Sequence, residues 1–207
     1  MAVPRNAGGR SVSKIERAFY DRNALTVARD LIGMRLVRSL GRTCYAGRIV
    51  ETEAYQGPED LAAHSARGLR TARTEVMFGP PGHVYVYLIY GMWNCLNIVV
   101  GPSGTPHAVL IRAVAPEQGE LRTWGPGLLC RAFEIDRGLS GADLLGSQIW
   151  LEQPATRPAV TVVSAPRIGV DYAGAWAHKP WRFFAADSPF VSTVSPAARR
   201  KQLPVGR

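Results

Sequence analysis

Alternating apolar and polar positions dominate the middle of the chain and predict strands. Residues 34–39 and 44–55 form two such runs, joined by Leu40-Gly41-Arg42-Thr43, a hairpin signal. Residues 84–90 alternate again. Tyr85, Tyr87 and Ile89 share one face and Val84, Val86, Leu88 and Tyr90 the other, until Gly91 breaks the pattern. Residues 94–100, 107–114, 148–152 and 160–164 supply further strands. Helical spacing is confined to two places. Residues 23–32 carry the stripe Leu25, Ala28, Leu31 and Ile32, with Asp21 or Asn23 to cap it and Gly33 to end it. Residues 128–135 follow Gly125-Pro126-Gly127 as a second helix. Turn clusters at 56–60, 79–82 and 101–106 separate the strands. Residues 61–74 are small, polar and basic, a long loop or a short helix plus loop, and residues 165–190 mix aromatics with turn residues. Antiparallel strands with few helices predict an α+β fold in a single compact domain. No internal repeat or long linker divides it. The composition of residues 1–17 and 194–207 predicts disordered ends, the first of them basic, around a domain at 18–193.

One strand face breaks the rule that makes the others legible. Ile49, Glu51, Glu53 and Tyr55 point the same way, so a face that should offer apolar residues offers two carboxylates and an aromatic. Carboxylates are seldom buried without partners. Either this face meets solvent on a β-rich core, or it lines a cleft. Residues two apart on a strand have Cα atoms roughly 6.5–7 Å apart, a spacing that lets paired carboxylates act as acid and base on a sugar bond. Many surface strands carry the same Glu-x-Glu pattern.

Charge narrows the choice. The chain carries a formal net charge of +9 and a pI near 10.0, which favours polyanionic partners, nucleic acid ahead of anionic membrane. Only Lys14, Lys179 and Lys201 among the basic residues are lysines. Arginine suits bidentate contact with phosphate, although a GC-rich coding sequence gives the same bias. Cys44, Cys95 and Cys130 lie far apart and make no metal-ligand spacing with His64, His83, His107 or His178, so they read as buried free thiols in a reducing compartment. No metal or cofactor is expected. The longest apolar stretch, residues 84–93, is about half a bilayer span, and the N-terminal segment has no apolar run. The expected location is therefore cytoplasmic.

Tyr55, His64, Tyr85, Tyr87, Tyr90 and Trp93 offer flat faces near these carboxylates. Any one tyrosine is more often core packing. Together, beside a loop carrying Arg67, Arg70 and Arg73, they suit an unstacked nucleic-acid base, with the arginines on phosphates or simply solvated. A carboxylate in a basic, aromatic cleft suggests cleavage of an N-glycosidic bond, in which the base is stacked and the carboxylate takes a proton from water.

These residues also carry a resemblance. Arg48-Ile-Val-Glu-Thr-Glu-Ala-Tyr55, Gly57-Pro-Glu-Asp60, Ala63-His-Ser65, Tyr85-Val-Tyr87, Ile89-Tyr-Gly-Met92, Asn97-Ile98, Val109-Leu-Ile-Arg-Ala113, Gly125-Pro-Gly127, Arg167-Ile-Gly-Val170 and Lys179-Pro-Trp-Arg-Phe183 resemble the alkyladenine (3-methyladenine) DNA glycosylase family over roughly residues 18–193. The resemblance implies a curved antiparallel sheet with surrounding helices. It implies a monofunctional base-excision enzyme that flips alkylated or deaminated purines from damaged double-stranded DNA and leaves an abasic site. By it, Glu53 matches the general base, Arg112 helps hold that carboxylate and its water, and the Ile168 carbonyl is a third contact to the water. Tyr55 and His64 stack on one face of the base and Tyr87 on the other. Asn97 gates against the guanine 2-amino group, and Tyr90 intercalates. Glu51 matches a motif glutamate without a catalytic role. A monomer associated with the nucleoid is expected. Two other classes remain open: a lesion binder that releases no base, and an N-glycosidase acting on RNA or nucleosides.

Overall fold

The computed structural model describes residues 13–156 and 159–193. Its axis is β3 (Thr43–Gln56), the longest strand. On one side β3 pairs with β6 (His107–Pro116) from Gly47 to Gln56. On the other it pairs first with β2 (Arg35–Leu40) and then, from Glu51 to Glu53, with β9 (Arg182–Ala185). The changeover coincides with a β-bulge between Ile49 and Thr52. A bulge bends its strand and re-aims the side chains beyond it. Further strands extend the sheet: β7 (Ile149–Gln153) and β1 (Ser13–Lys14) beyond β2, β5 (Trp93–Val100) and β4 (Val84–Ile89) beyond β6, and β8 (Val162–Ala165) beside β9. Every pairing is antiparallel and the sheet is open, as an α+β reading requires.

Among the described residues, three short α-helices flank it: α1 (Arg17–Tyr20), α2 (Ala24–Asp30) and α3 (Pro126–Ala132). Asn23 caps α2 by accepting from the Leu25 N–H at 2.9 Å, a contact worth about 1 kcal/mol. Val27, Ala28, Leu31 and Ile32 are buried against the sheet with Ile49, Ile111 and Val114. The Thr52 hydroxyl donates to the Ala28 carbonyl, so Thr52 faces α2 and Glu53 faces away from it. The hairpin at Leu40–Thr43 forms as its sequence predicts, with Gly41 at positive φ.

Several boundaries differ from the sequence reading. The second helix starts at Pro126, because proline suits the first helical turn, and stops at Ala132 rather than 135. Residues 61–74, by contrast, follow the reading: a loop with a short 3-10 helix at Ala66–Gly68. The folded part begins ahead of residue 18: Ser13 and Lys14 pair with β7, and Ile15 is buried. Residues 1–12 and 194–207 lie outside the described residues, so the expected disordered ends fall largely there.

Candidate active site

The acidic strand is not solvated. Glu51, Thr52 and Glu53 are all fully buried, which overturns the reading of that face as water-facing. The reason is a set of partners that arrive from distant parts of the chain. Glu51 accepts from Arg112 Nε at 3.1 Å, Arg182 Nη1 at 3.0 Å, and the Ser192 N–H and hydroxyl at 2.7 and 2.9 Å. Three of these donors crowd Oε1, and the Ser192 N–H takes Oε2. Glu53 differs. Its Oε1 takes the Ile168 N–H at 2.8 Å and lies 3.2 Å from Arg112 Nη1, while its Oε2 takes only the Tyr55 hydroxyl, at 2.8 Å. The two carboxylates are thus bridged by one guanidinium and are not equivalent. Glu51 is held by four donors, three of them on one oxygen, and Glu53 by three.

Arg112 stays charged: burial opposes its charge, and Glu53 and Glu51 more than offset that, so its pKa rises. The Tyr55 phenol is pushed well above its ordinary range by burial and by the Glu53 charge, so it remains a donor to the carboxylate. Ile168 enters through its backbone N–H rather than through its side chain, which is 40% exposed.

A cleft of about 510 Å³ opens beside this arrangement, within the size range of small-molecule sites. Tyr55, His64, Tyr87, Asn97, Arg112 and Ile168 all line it. Glu53 stands directly behind Tyr55, Arg112 and Ile168. β4 supplies Tyr85 and Tyr87, which alternate onto one face, and the paired β5 supplies Cys95 and Asn97. Tyr85 is buried and its hydroxyl lies 3.0 Å from His64 Nδ1. The His64 and Tyr87 rings are 4.4 Å apart and nearly perpendicular, at 84°. The Asn97 amide nitrogen donates to the carbonyls of Tyr85 and Cys95. Burial, with the Arg73 charge beside it, lowers the His64 pKa to about 4, so the ring is neutral at physiological pH.

The rim carries exposed aromatics. Tyr90 is 82% exposed with φ of 52°, at the tip of the β4–β5 hairpin. Trp93 lies on Gly127 at the start of α3; a Cβ there would sit 2.6 Å from the indole, so only glycine allows this approach. The three loop arginines do not behave alike. Arg70 pairs with Glu75 on the surface, Arg73 lies over the Tyr87 ring and 3.4 Å from His64 Nε2, and Arg67 is exposed. Sequence reasoning missed Tyr172, a 71%-exposed ring at the cleft mouth whose hydroxyl donates to the Ala62 carbonyl. It also missed Arg182 and Ser192; partners of Glu51 that arrive from so far along the chain leave no local pattern. Among the described residues, no group of three His, Cys, Asp or Glu is placed to hold a metal. None of the described helices is long and apolar enough to cross a membrane.

Comparison with known proteins agrees in extent with this site. Residues 18–189 match the family described as methylpurine-DNA glycosylase. A protein of Anaeromyxobacter dehalogenans is 52% identical over 187 residues, covering 89% of this chain and 88% of its own. One of Methanocella arvoryzae is 52% identical over 198 residues, with 88% and 97% covered. One of Legionella pneumophila is 48% identical over 180 residues, with 86% and 98% covered. All three are named, provisionally, 3-methyladenine DNA glycosylase.

Proposed function

The chain belongs to the methylpurine-DNA glycosylase family, and from its site we propose how it excises alkylated or deaminated purines from duplex DNA. The observation that carries the reading is Glu53: a buried carboxylate, held by three donors, behind the wall of an aromatic cleft on a strongly basic chain. Tyr55 and Tyr87 take the faces of the flipped base. By the resemblance His64 stacks beside Tyr55. Its ring is perpendicular to Tyr87, so a base lying flat on Tyr87 meets His64 by its edge. Each stacking contact is worth roughly 1–3 kcal/mol and offsets the few kcal/mol of unpairing. Tyr90 fills the vacated place in the duplex. Asn97 stands against the guanine 2-amino group. Arg67, Arg70 and Arg73 serve the phosphates; the exposed pair of Arg70 with Glu75 costs little to exchange for one.

In the chemical step, the water oxygen bonds to C1′ and its proton passes to the free lone pair of Glu53 Oε2. The C1′–N bond breaks, and its electron pair leaves with the base. A purine alkylated at N3 or N7 departs neutral because it starts cationic; a neutral lesion such as hypoxanthine or ethenoadenine departs as its anion and takes a proton from solvent. The Ile168 carbonyl and Arg112 orient the water. Among the described residues no lysine lines the cleft, which supports hydrolysis over an amine-dependent lyase. The protein acts as a monomer, in the cytoplasm at the nucleoid. The test is base release from duplexes carrying 3-methyladenine, hypoxanthine or ethenoadenine. Free base with intact strands until heat or alkali is expected. Spontaneous nicking defeats the monofunctional reading, and lesion binding without release moves the protein to the binder class.

A further inference from the structure

Behind Tyr55, on the side away from the cleft, lies a second buried ion pair. The Arg167 side chain is fully buried and donates to both oxygens of the fully buried Asp60, at 2.5 and 2.8 Å. It donates also to the Ala54 carbonyl at 2.9 Å and more weakly to the Trp176 carbonyl at 3.2 Å. Its guanidinium carbon lies 4.7 Å from the Tyr55 ring centre and 5.1 Å from that of Trp181, a cation between two rings. Asp60 in turn accepts from the backbone N–H groups of Gln56 and Ala62.

The placement of these contacts is specific to Glu53. Ala54 and Tyr55 are the two residues that follow it, and Ile168 is the residue that follows Arg167. Tyr55 and Ile168 are two of the three donors to the Glu53 carboxylate. Arg167 therefore touches one donor, is bonded to the other, and grips the backbone between Glu53 and Tyr55. It does not line the cleft and never meets substrate. Stability alone explains it poorly. A buried ion pair gains little over an apolar pair of the same volume, and here Arg167 Nε is left buried without a hydrogen bond.

We propose that Arg167, locked by Asp60, is a positioning residue for hydrolysis, fixing Tyr55 and the Ile168 N–H on the Glu53 carboxylate. The inference rests on Glu53 as the general base. Lysine at this position keeps the charge but has neither the flat face nor the paired donors, so Arg167→Lys isolates the positioning role.

The experiment measures single-turnover base release over a series of enzyme concentrations for wild type, R167K, Y55F, the double variant and E53Q, below the melting temperature of each. R167K is expected to lower the maximal rate at least tenfold, with the half-saturating concentration changed far less, because Tyr87, Tyr90 and the loop arginines are untouched and only the support of Tyr55 is altered. The double variant is expected to lose less than the product of the single losses, because Arg167 acts partly through the hydroxyl that Y55F has already removed. A folded R167K with the wild-type maximal rate overturns the proposal, as do losses that multiply independently. If R167K does not fold, Trp181→Leu, which removes one ring from the guanidinium, takes its place; an unchanged maximal rate there overturns the proposal equally. E53Q separates the two levels. An undiminished E53Q removes the premise, whereas a disabled E53Q beside an unaffected R167K removes this inference alone.

Discussion

Glu51→Gln separates the two carboxylates of β3. In the wild type, Glu51 is fully buried and accepts from two guanidiniums and from both donors of Ser192. A glutamine presents one acceptor oxygen, no charge, and an amide group facing donors. Breaking a buried ion pair by removing one partner costs about 3–5 kcal/mol. In a domain of this size each kcal/mol moves the melting temperature by about 2–4 °C, so a fall of about 6–20 °C follows. The chemistry should suffer less. Arg112 keeps its contact to Glu53 at 3.2 Å, and the Tyr55 and Ile168 donors are untouched. Thermal melting by circular dichroism gives the first quantity, and single-turnover base release below both transitions gives the second, with a loss under about tenfold expected. A melting temperature within about 2 °C of wild type would show that the Glu51 node does not hold the strand. A rate loss as deep as that of Glu53→Gln would restore the paired-carboxylate mechanism.

Two further perturbations follow from the cleft. His64 is held at a pKa of about 4, below its ordinary 6.5, so the folded state prefers the neutral ring. Its contribution to stability is complete above about pH 6.5 and is lost as pH falls toward 4, and binding of cationic lesions weakens over the same window. Melting and lesion-affinity profiles of wild type against His64→Gln test this; identical acid limbs in both would refute it. Tyr90→Ser removes a ring that is 82% exposed and buries nothing in the free protein, so the melting temperature should hold while lesion-duplex affinity falls about tenfold or more, measured by anisotropy.

How much of this the sequence disclosed depended on range. The hairpin at Leu40–Thr43, the Asn23 cap and the alternation of Tyr85 and Tyr87 are local, and each appears where the pattern put it. Periodicity alone could not say whether Glu51 and Glu53 met water, because all their partners but Tyr55 lie about 60 to 140 residues away in sequence. Nothing in Arg182-Phe-Phe-Ala185 alternates cleanly, and β9 forms because β3 and β8 offer it edges on both sides. The resemblance brought Glu53, Tyr55, His64, Tyr87, Asn97, Arg112 and Ile168 together, and all but Glu53 line one cleft. It did not indicate that His64 stands edge-on to Tyr87, that Arg73 leans on that ring, or that Arg167 supports the rear of Tyr55.

The central claim is that Glu53 is the base that activates water. The most direct measurement is single-turnover release of 3-methyladenine, hypoxanthine or ethenoadenine from duplex DNA by wild type and Glu53→Gln. Glutamine keeps the shape and one acceptor oxygen, enough for the Ile168 N–H or the Tyr55 hydroxyl but not both, and does not take a proton. A loss of about a hundredfold or more in the mutant, with lesion binding retained, is expected. Equal rates in the two proteins would contradict it.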